Sequence, residues 1–473
     1  MVLVSRKQKT EEWVLLSENE EAVLSALERG ETDGMLPAGS AAMDRFATFL
    51  SESGIAKILD GFTDHRERKS IPAFLFCNLL LHKSLLNIGS LSQIGPILFR
   101  SPDSLRMLGF NMRQIQEGFY SGGTQRPLNV ESIGDFFAAC GLEDFQSNQK
   151  DVLKGLVGSY PELLAEGTLV MDCVEFTIPA GRANKTDERL EACVLCCAKQ
   201  SECLPLLWSI IEANSQADIT QGKALMAEAL SIVGKQAKRL VVDRGFLSGE
   251  WVGELKKKGL DTVIGLKTDM ALYTDMLSLA SEPETSWLEV DLPKYNKVKS
   301  APTSRHIAYL SDLETWDSCK VPLAGIVIRD TYPGGRVIYQ CVVTTDLSAE
   351  PEQVHAWIRS RWAIEETFMR ESRYGSLNRI GSCRVGVGAA IAHFSLLAFT
   401  LLRLFVNQEQ EDKPVPRFAI PSAGVEVVAY WGNYYAITQM SRLLSIILGR
   451  PPDIQRAIQS RQKAFEQAMS SPR

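Results

Sequence analysis

The clearest indication of the fold class is the run LVVDRGF at residues 240–246, in which apolar residues of strand length end in Asp243. A second run of this kind, TLVMD at residues 168–172, ends in Asp172. Ligands of open α/β sheets bind beyond the carboxyl ends of the strands. One Asp in such a position is most often part of a turn or a helix cap. Two of them in one α/β unit favour a shared site.

The sequence around these runs predicts further strands and helices. Apolar runs of strand length occur at 192–198, 203–211 and 262–266, and helical spacing occurs at 220–236 and 247–258. Strands followed by alternating helices and strands predict an α/β layer with a mixed sheet.

The pattern changes again along the chain, which predicts its domain organisation. Turn signals such as PGGR at residues 333–336 separate short apolar runs and indicate a β-rich insertion, whereas both ends of the chain show helical periodicity. We expect a helical N-terminal domain (1–155), the first part of the core (156–269), the insertion (270–348), the second part of the core (349–407) and a helical C-terminal region (408–473).

The composition excludes several classes of protein. The chain has 473 residues, of which 45% are apolar and 23% charged, as in soluble globular proteins. The apolar stretches fall short of about 18 uninterrupted residues, and none follows the basic N-terminus, so neither a membrane span nor a secretory signal is predicted. The net charge of −6 argues against a protein that coats nucleic acid nonspecifically. Ten cysteines without a signal peptide indicate reduced thiols in the cytoplasm.

A third run, RWAIEETF at residues 361–368, lies in a predicted helix over 351–374. Ile358, Arg361 and Glu365 are spaced by three and four residues and therefore share one face of that helix. An Arg and a Glu one turn apart also form ordinary surface ion pairs. That interpretation fits Glu366 better than Glu365, because Glu366 lies off the apolar stripe.

Together these runs resemble the DDE transposases of bacterial insertion sequences. These cut-and-paste enzymes have a ribonuclease-H-like core with a β-strand insertion before the catalytic Glu. The resemblance rests on Asp172, LVVDRGF, GLKT at residues 265–268 and RWAIEETF, which occur in the family's order. It covers residues 166–405 well and the N-terminal helices loosely. The implied fold class is α/β: a ribonuclease-H-like mixed sheet with flanking helices, a β-rich insertion and helical N- and C-terminal regions.

The resemblance implies that Asp172, Asp243 and Glu365 are the catalytic residues and the ligands of two Mg²⁺ ions, with Mn²⁺ as a substitute. Phosphodiester hydrolysis and strand transfer need two hard cations about 3.5–4 Å apart and no covalent nucleophile. Carboxylate oxygens are the ligands that Mg²⁺ prefers.

The partners implied are double-stranded DNA, as element ends and as target, and a second protomer in a homodimer on DNA. No membrane and no small-molecule substrate is expected, and the location is the bacterial cytoplasm, in association with the nucleoid. The candidate DNA-binding residues are Arg361, Arg370, Arg373, Lys267, Arg244, Arg100 and Arg106. Residues 351–384 contain six Arg against four Glu, which indicates a basic surface; a solvated helix of mixed charge is the alternative.

The N-terminal domain would bind the element ends. A helix opened by a capping box at Ser90 and Gln93, and a second helix from Pro102 to about Gly109, resemble a helix-turn-helix across Arg100. Any helical domain offers such pairs, so this signal is weak.

Two positions depart from the family pattern. The relatives carry a Tyr seven residues before the Glu and a Lys seven after it, where this chain has Ile358 and Ser372. Sealing of the flanking DNA end as a hairpin is therefore in doubt. Two alternatives to an active transposase stay open: a catalytically silent DNA-binding protein derived from a transposase, and a nuclease that cuts without joining.

Several other residue sets have a structural explanation. CxxC within residues 193–196 is half of a zinc site, but the surrounding apolar run predicts buried thiols at Cys193, Cys196, Cys197 and Cys203. His355 and His393 are expected to be structural. Apolar residues of the last helix form a stripe that packs on the chain's own core or on a second protomer: Ile454, Ile458, Phe465 and Met469.

Overall fold

The computed structural model describes residues 13–37, 41–67, 69–99, 102–119, 128–180, 187–199, 202–213, 217–292, 301–374, 380, 382–409 and 426–470. These residues form two compact units. The first unit comprises the described parts of Met1–Gly155, Ile178–Glu188 and Tyr374–Arg473, and the second comprises those of Leu156–Thr177 and Arg189–Arg373.

The N-terminal part of the chain is mostly helical. Its elements are β1 (Ser17–Glu18), α1 (Glu20–Glu28), β2 (Gly34–Pro37), α2 (Ala41–Glu52), α3 (Ile55–Asp60), α4 (Ala73–Leu85), α5 (Ile94–Leu98), α6 (Pro102–Met107), α7 (Met112–Glu117), α8 (Glu131–Ala138) and α9 (Leu142–Ser159).

The middle of the chain contains the long strands. Its elements are β3 (Thr168–Ile178), β4 (Glu188–Lys199), β5 (Glu202–Glu212), α10 (Asp218–Val233), β6 (Arg239–Val242), α11 (Gly249–Lys257), β7 (Asp261–Gly265), α12 (Ala271–Ala280), β8 (Trp287–Glu289), β9 (Ser304–Leu313), β10 (Leu323–Thr331), β11 (Val337–Thr344) and α13 (Pro351–Tyr374). The C-terminal part adds α14 (Val385–Glu409), β12 (Glu426–Trp431), β13 (Tyr434–Gln439), α15 (Met440–Leu448) and α16 (Pro452–Ser470).

The second unit is built on a mixed sheet, which among the described residues has the strand order β5-β4-β3-β6-β7-β11-β10-β9-β8. β3, β6 and β7 are parallel, β4 and β5 are antiparallel, and β11 returns antiparallel to β7. A mixed sheet with helices before, between and after its strands confirms the predicted α/β fold class. β6 is a continuous apolar run because both faces of a central parallel strand are buried.

The strands after α12 extend this same sheet. β11, β10 and β9 pair antiparallel in succession beyond β7, and β8 forms the edge. The β-rich segment thus lengthens the sheet before the chain enters α13. α13 follows at the residues predicted for the third motif, 351–374, which confirms that helix.

The core of the first unit surrounds α14. Among the described residues, Val385–Val406 is the one helix long and apolar enough to span a membrane, but 89% of its apolar window is buried in the protein. Phe394 packs on Phe137 and Phe62, and Ser395 hydrogen-bonds Ser84 of α4. These contacts identify α14 as a core helix.

A second, smaller sheet joins the two ends of the chain, and the sequence did not predict its strands. Its order is β1-β13-β12-β2. The sequence signal was present, because β-branched and aromatic residues flank the turn at Gly432 and Asn433. Gly432 has a φ of 57°, which glycine adopts without strain. Local periodicity could not reveal that β1 and β2 pair with this distant hairpin.

The capping box predicted at Ser90 is wrong. The Ser90 hydroxyl hydrogen-bonds Ser92 (2.8 Å), and no side chain caps the short 3-10 turn that begins at Leu91. The reciprocal capping box forms instead at Asn111 and Gln114, at the start of α7. Both sites have the right residue types at the right spacing, so only the backbone conformation distinguishes them.

Candidate active site

Asp172 and Asp243 lie next to each other on neighbouring strands. The parallel register of β3 and β6 ends at the pair Met171 and Val242, and each Asp is the next residue in its strand direction. β3 does not end at Asp172, as the sequence suggested, but continues to Ile178. After Met171, β3 no longer pairs with β6. Both carboxylates lie at the sheet edge where this pairing ends.

Arg361 joins Asp172 to Glu365. Its Nη1 donates to Asp172 Oδ2 (3.3 Å), and its Nη2 donates to Glu365 Oε1 (2.6 Å). The Arg361 side chain is 13% exposed, whereas that of Glu365 is 53% exposed. Arg361 and Glu365 therefore do form the i,i+4 pair considered above, but the same guanidinium also binds the first Asp. One largely buried guanidinium thus links the helix that carries Glu365 to Asp172 of the sheet.

Contacts along α13 fix the height of this helix over the sheet. Trp357 stacks on the guanidinium of Arg239, at the first residue of β6, with 3.6 Å from Cζ to the ring centroid. The thiol of Cys203 donates to the carbonyl of Ser360 (3.4 Å). α13 therefore runs along β6 from its start at Arg239 to the carboxyl edge, where Arg361 meets Asp172.

A buried ion pair lies beneath the same helix. Arg305 of β9 binds both carboxylate oxygens of Asp330 of β10, at 2.6 and 2.7 Å, and its guanidinium also lies near the ring of Trp362 on α13. Arg305 is 2% exposed. The strands of the β-rich segment therefore support the helix that carries Glu365.

The electrostatics of Asp172 reflect its neighbours. Burial raises the pKa of Asp172 to about 6, and the charges of Asp243 and Glu365 raise it further, while the Cys173 backbone N–H and Arg361 lower it. Two carboxylates that raise the pKa of a third must share its surroundings. Asp243 and Glu365 therefore lie close enough to Asp172 for their charges to affect it.

Asp243 is held by the turn that follows it. The N–H of Gly245 donates to Asp243 Oδ1 (2.6 Å). A Cβ at Gly245 would lie 2.9 Å from that oxygen and 3.2 Å from Oδ2 of Asp218. The Gly in the Asp-Arg-Gly motif is therefore required by the close approach of two carboxylates.

The donor set of this site suits a hard divalent cation, because it consists of carboxylate oxygens. In this conformation the three carboxylates are not gathered within 4.8 Å of one another, a distance that among the described residues only Cys173, Glu191 and Asp218 satisfy. Arg361 lies between Glu365 and Asp172 and donates a hydrogen bond to each of them. The residues fit a hard divalent cation in the type of their donor atoms.

The middle of the chain resembles a known protein family. Residues 179–397 match the family model described as the transposase DDE domain. This segment, somewhat less than half of the chain, is therefore similar to a transposase DDE domain. The matched segment contains Asp243, Arg361 and Glu365, and Asp172 lies just before its first residue.

The fold resembles that of a piggyBac transposase in a cryo-EM structure of its synaptic complex with hairpin DNA, with a TM-score of 0.38 and 9% identity. The match covers 90% of this chain and 81% of that one. Among curated proteins, no match was found.

The five DNA-binding residues predicted in the second unit have three different outcomes. Lys267 and Arg244 are exposed, and they follow β7 and β6 at the same carboxyl edge as Asp243. Arg361 is turned inward to the carboxylates. The side chains of Arg370 and Arg373 lie outside the described residues.

The two N-terminal candidates are less informative. Arg100 lies outside the described residues. The guanidinium of Arg106 lies 4.3 Å from the ring centroid of Tyr430 and 5.7 Å from that of Phe465. In this structure Arg106 packs the end of α6 against the C-terminal hairpin and α16.

The other sequence-based expectations have clear outcomes. Ile358, at the position of the family's Tyr, is 7% exposed and belongs to the core, and the Ser372 side chain is not described. The thiols of β4 and β5 are buried, as expected, and His355 and His393 are buried as well. Ile458 and Phe465 of α16 pack within their own unit, and the side chain of Met469 is not described.

Sequence reasoning missed one cluster, formed by Cys173, Glu191 and Asp218. These residues come from β3, β4 and the first residue of α10, so no sequence motif joins them. The only feature of the local sequence that could have indicated this cluster was the position of Cys173, directly after Asp172.

Proposed function

We propose that this chain is an active DNA transposase of a bacterial insertion sequence. It binds the terminal inverted repeats of its element, cleaves the ends by two-metal phosphodiester hydrolysis and transfers the 3′-hydroxyl ends to target DNA. The observation that carries the proposal is the bridge from Asp172 through Arg361 to Glu365, beside Asp243. Folding alone does not require three carboxylates to share one site, because like charges repel when they are brought together.

Each residue has a distinct role in this proposal. Asp172, Asp243 and Glu365 would hold two Mg²⁺ or Mn²⁺ ions. When bound, the ions stabilise the attacking and leaving oxygens of an in-line displacement. Gly245 fixes Asp243 by its backbone N–H, and Arg361 positions Asp172 and Glu365. With an exposed side chain, Glu365 can change its rotamer without repacking the core.

The DNA would lie across the carboxyl edge of the sheet. Lys267 and Arg244 are exposed there, and each can neutralise a backbone phosphate. Contacts of this kind position the duplex without reading its sequence. We therefore assign recognition of the terminal repeats to the N-terminal helices, and expect two protomers to pair the two element ends in the bacterial nucleoid.

A cleavage and strand-transfer assay tests this function. The substrate is duplex DNA carrying the element's own ends, incubated with Mg²⁺ or Mn²⁺. We expect metal-dependent 3′-end cutting and joining that is lost in Glu365→Gln. The matched control is Glu352→Gln, the same change at an exposed residue in the first turn of the same helix.

Two outcomes would contradict the proposal. Tight binding of the ends without cutting, in either metal, would identify a silent DNA-binding derivative. Cutting without any joined product would identify a nuclease.

A further inference from the structure

A second group of side chains whose atoms can ligate a metal ion lies at the sheet face opposite Asp172. The ligand atoms of Cys173, Glu191 and Asp218 are all within 4.8 Å of one another. Cys173 and Asp172 are consecutive in β3, so their side chains point to opposite faces. Asp172 faces Arg361 of α13, whereas Cys173 faces α10. Asp172 and Cys173 thus lie on opposite faces of the sheet, and of the cluster it is Asp218 that approaches the turn holding Asp243.

The packing of α10 builds this cluster. Asp218 is the first residue of the helix, and Gln221 lies one turn later on the same side. Gly222 lets the helix approach closely, because a Cβ there would lie 2.8 Å from Phe246 and 3.1 Å from Met171 Sδ. Met171 shares its strand face with Cys173. The first turn of α10 is thus held directly over Cys173 and Glu191.

A buried amide oxygen provides an independent indication of a ligand. Gln221 is 3% exposed, and its Nε2 donates to Glu191 Oε1 (2.8 Å). Its other polar atom, Oε1, is buried and makes no hydrogen bond. A buried acceptor without a partner costs free energy, about 1–3 kcal/mol in proteins. The end of this side chain lies in the cluster, where a cation would give the oxygen a partner.

We propose that Cys173, Glu191 and Asp218 bind a Zn²⁺-type transition-metal ion, with the Gln221 amide oxygen as a fourth ligand. A Cys sulfur among the donors selects Zn²⁺ over Mg²⁺, since thiolates prefer softer ions. Proteins bind Zn²⁺ through Cys sulfur and through Asp or Glu oxygen, and the ion mostly has four ligands. Binding converts the Cys173 thiol to the thiolate and releases its proton to solvent.

Such an ion would connect β3, β4 and α10 at one point. Cys173 adjoins Asp172 in β3, and Asp218 approaches the Gly245 turn that holds Asp243. The site would therefore stabilise the part of the sheet that carries the catalytic aspartates. Cys173 and Asp218 are half-buried, so an ion can enter from solvent. The proposal does not depend on transposase activity.

Cobalt binding to the reduced full-length protein tests the site. Tetrahedral Co²⁺ bound by a thiolate absorbs in the near ultraviolet through sulfur-to-metal charge transfer. We expect about one equivalent of Co²⁺ to produce this band and Zn²⁺ to remove it by displacement. We also expect Zn²⁺ to protect Cys173, but not Cys319, from alkylation as mapped by mass spectrometry.

Variants assign the band to the proposed residues. Cys173→Ser should abolish it, and Asp218→Asn should weaken Co²⁺ binding at least 10-fold, the size usual for loss of a ligand or its support. The band should persist in Cys319→Ser, a half-buried thiol elsewhere in the unit, and in Asp172→Asn, which alters the catalytic site.

The proposal is overturned if the folded protein gives no charge-transfer band, or if the band survives in Cys173→Ser. If Cys173→Ser does not fold, Asp218→Asn and the alkylation pattern of the unchanged protein decide. Unchanged Co²⁺ affinity in Asp218→Asn, or equal alkylation of Cys173 with and without Zn²⁺, would also overturn it.

Discussion

Arg361 is the residue on which the geometry of the catalytic site depends most. It binds both Asp172 and Glu365, so we expect Arg361→Ala to release both carboxylates and to slow DNA cutting by about 100-fold, the cost of a displacement of about 1 Å. Single-turnover cleavage measures this effect. Arg359→Ala is the control, because Arg359 lies on the same helix but off the stripe shared by Arg361 and Glu365. An equal loss in both variants would mean that the helix merely needs positive charge.

Gly245 offers a second test at the level of single residues. A methyl group there would lie 2.9 Å from Asp243 Oδ1 and 3.2 Å from Asp218 Oδ2, closer than ordinary contact. We expect Gly245→Ala to lower the cutting rate at least 10-fold by displacing Asp243. Gly253→Ala, in α11, has open space around the new methyl group and should leave the rate unchanged. Thermal unfolding of both variants separates loss of function from loss of fold; equal cutting rates would contradict this role for Gly245.

At the level of secondary structure, the strands of the β-rich segment support the catalytic helix. Arg305 and Asp330 are both buried and form a bidentate ion pair beneath Trp362. Breaking a buried pair leaves an uncompensated charge and costs about 3–5 kcal/mol. We expect Asp330→Asn to reduce the free energy of unfolding by this amount, as measured by urea denaturation.

An exposed pair on the same sheet is the control for that prediction. Glu175 and Arg189 have side chains that are 48% and 65% exposed. Glu175→Gln should change the free energy of unfolding by less than about 1 kcal/mol, since exposed pairs contribute little. Similar effects of the two substitutions would contradict the supporting role of Asp330.

At the scale of the whole molecule, buried histidines make the first unit sensitive to acid. Burial lowers the pKa of His82 to about 4 and that of His393 to about 3. Between these values and the ordinary pKa of about 6.5, the unfolded chain binds protons that the folded protein does not. Stability is therefore lost as pH falls below about 6.5, by roughly 3 kcal/mol at pH 4 for His82 alone.

Unfolding of His82→Gln at several pH values checks this prediction. The variant should lose less stability than the unchanged protein between pH 7 and pH 4.5. In the difference between the two proteins, the contributions of other titrating groups to stability cancel. One of them is Asp172, whose raised pKa increases stability as pH falls. Identical pH dependence of the two proteins would show that His82 becomes protonated without unfolding.

The sequence predicted those features that arise from local pattern. The apolar run before Asp243 predicted a buried parallel strand, and the spacing of Ile358, Arg361 and Glu365 predicted one helix face. Features that depend on distant pairing were missed, such as the sheet formed by β1, β2 and the hairpin of β12 and β13. The cluster of Cys173, Glu191 and Asp218 was missed for the same reason, because three separate elements bring it together.

The central claim is that Asp172, Asp243 and Glu365 bind the ions that catalyse DNA cutting. The most direct test is a change of metal specificity in Asp243→Cys, because a thiolate binds Mg²⁺ poorly and softer divalent ions better. We predict that this variant cuts the element ends with Mn²⁺ but not with Mg²⁺, whereas the unchanged protein uses both. Equal cutting by Asp243→Cys in the two metals, with the protein folded, would contradict the claim.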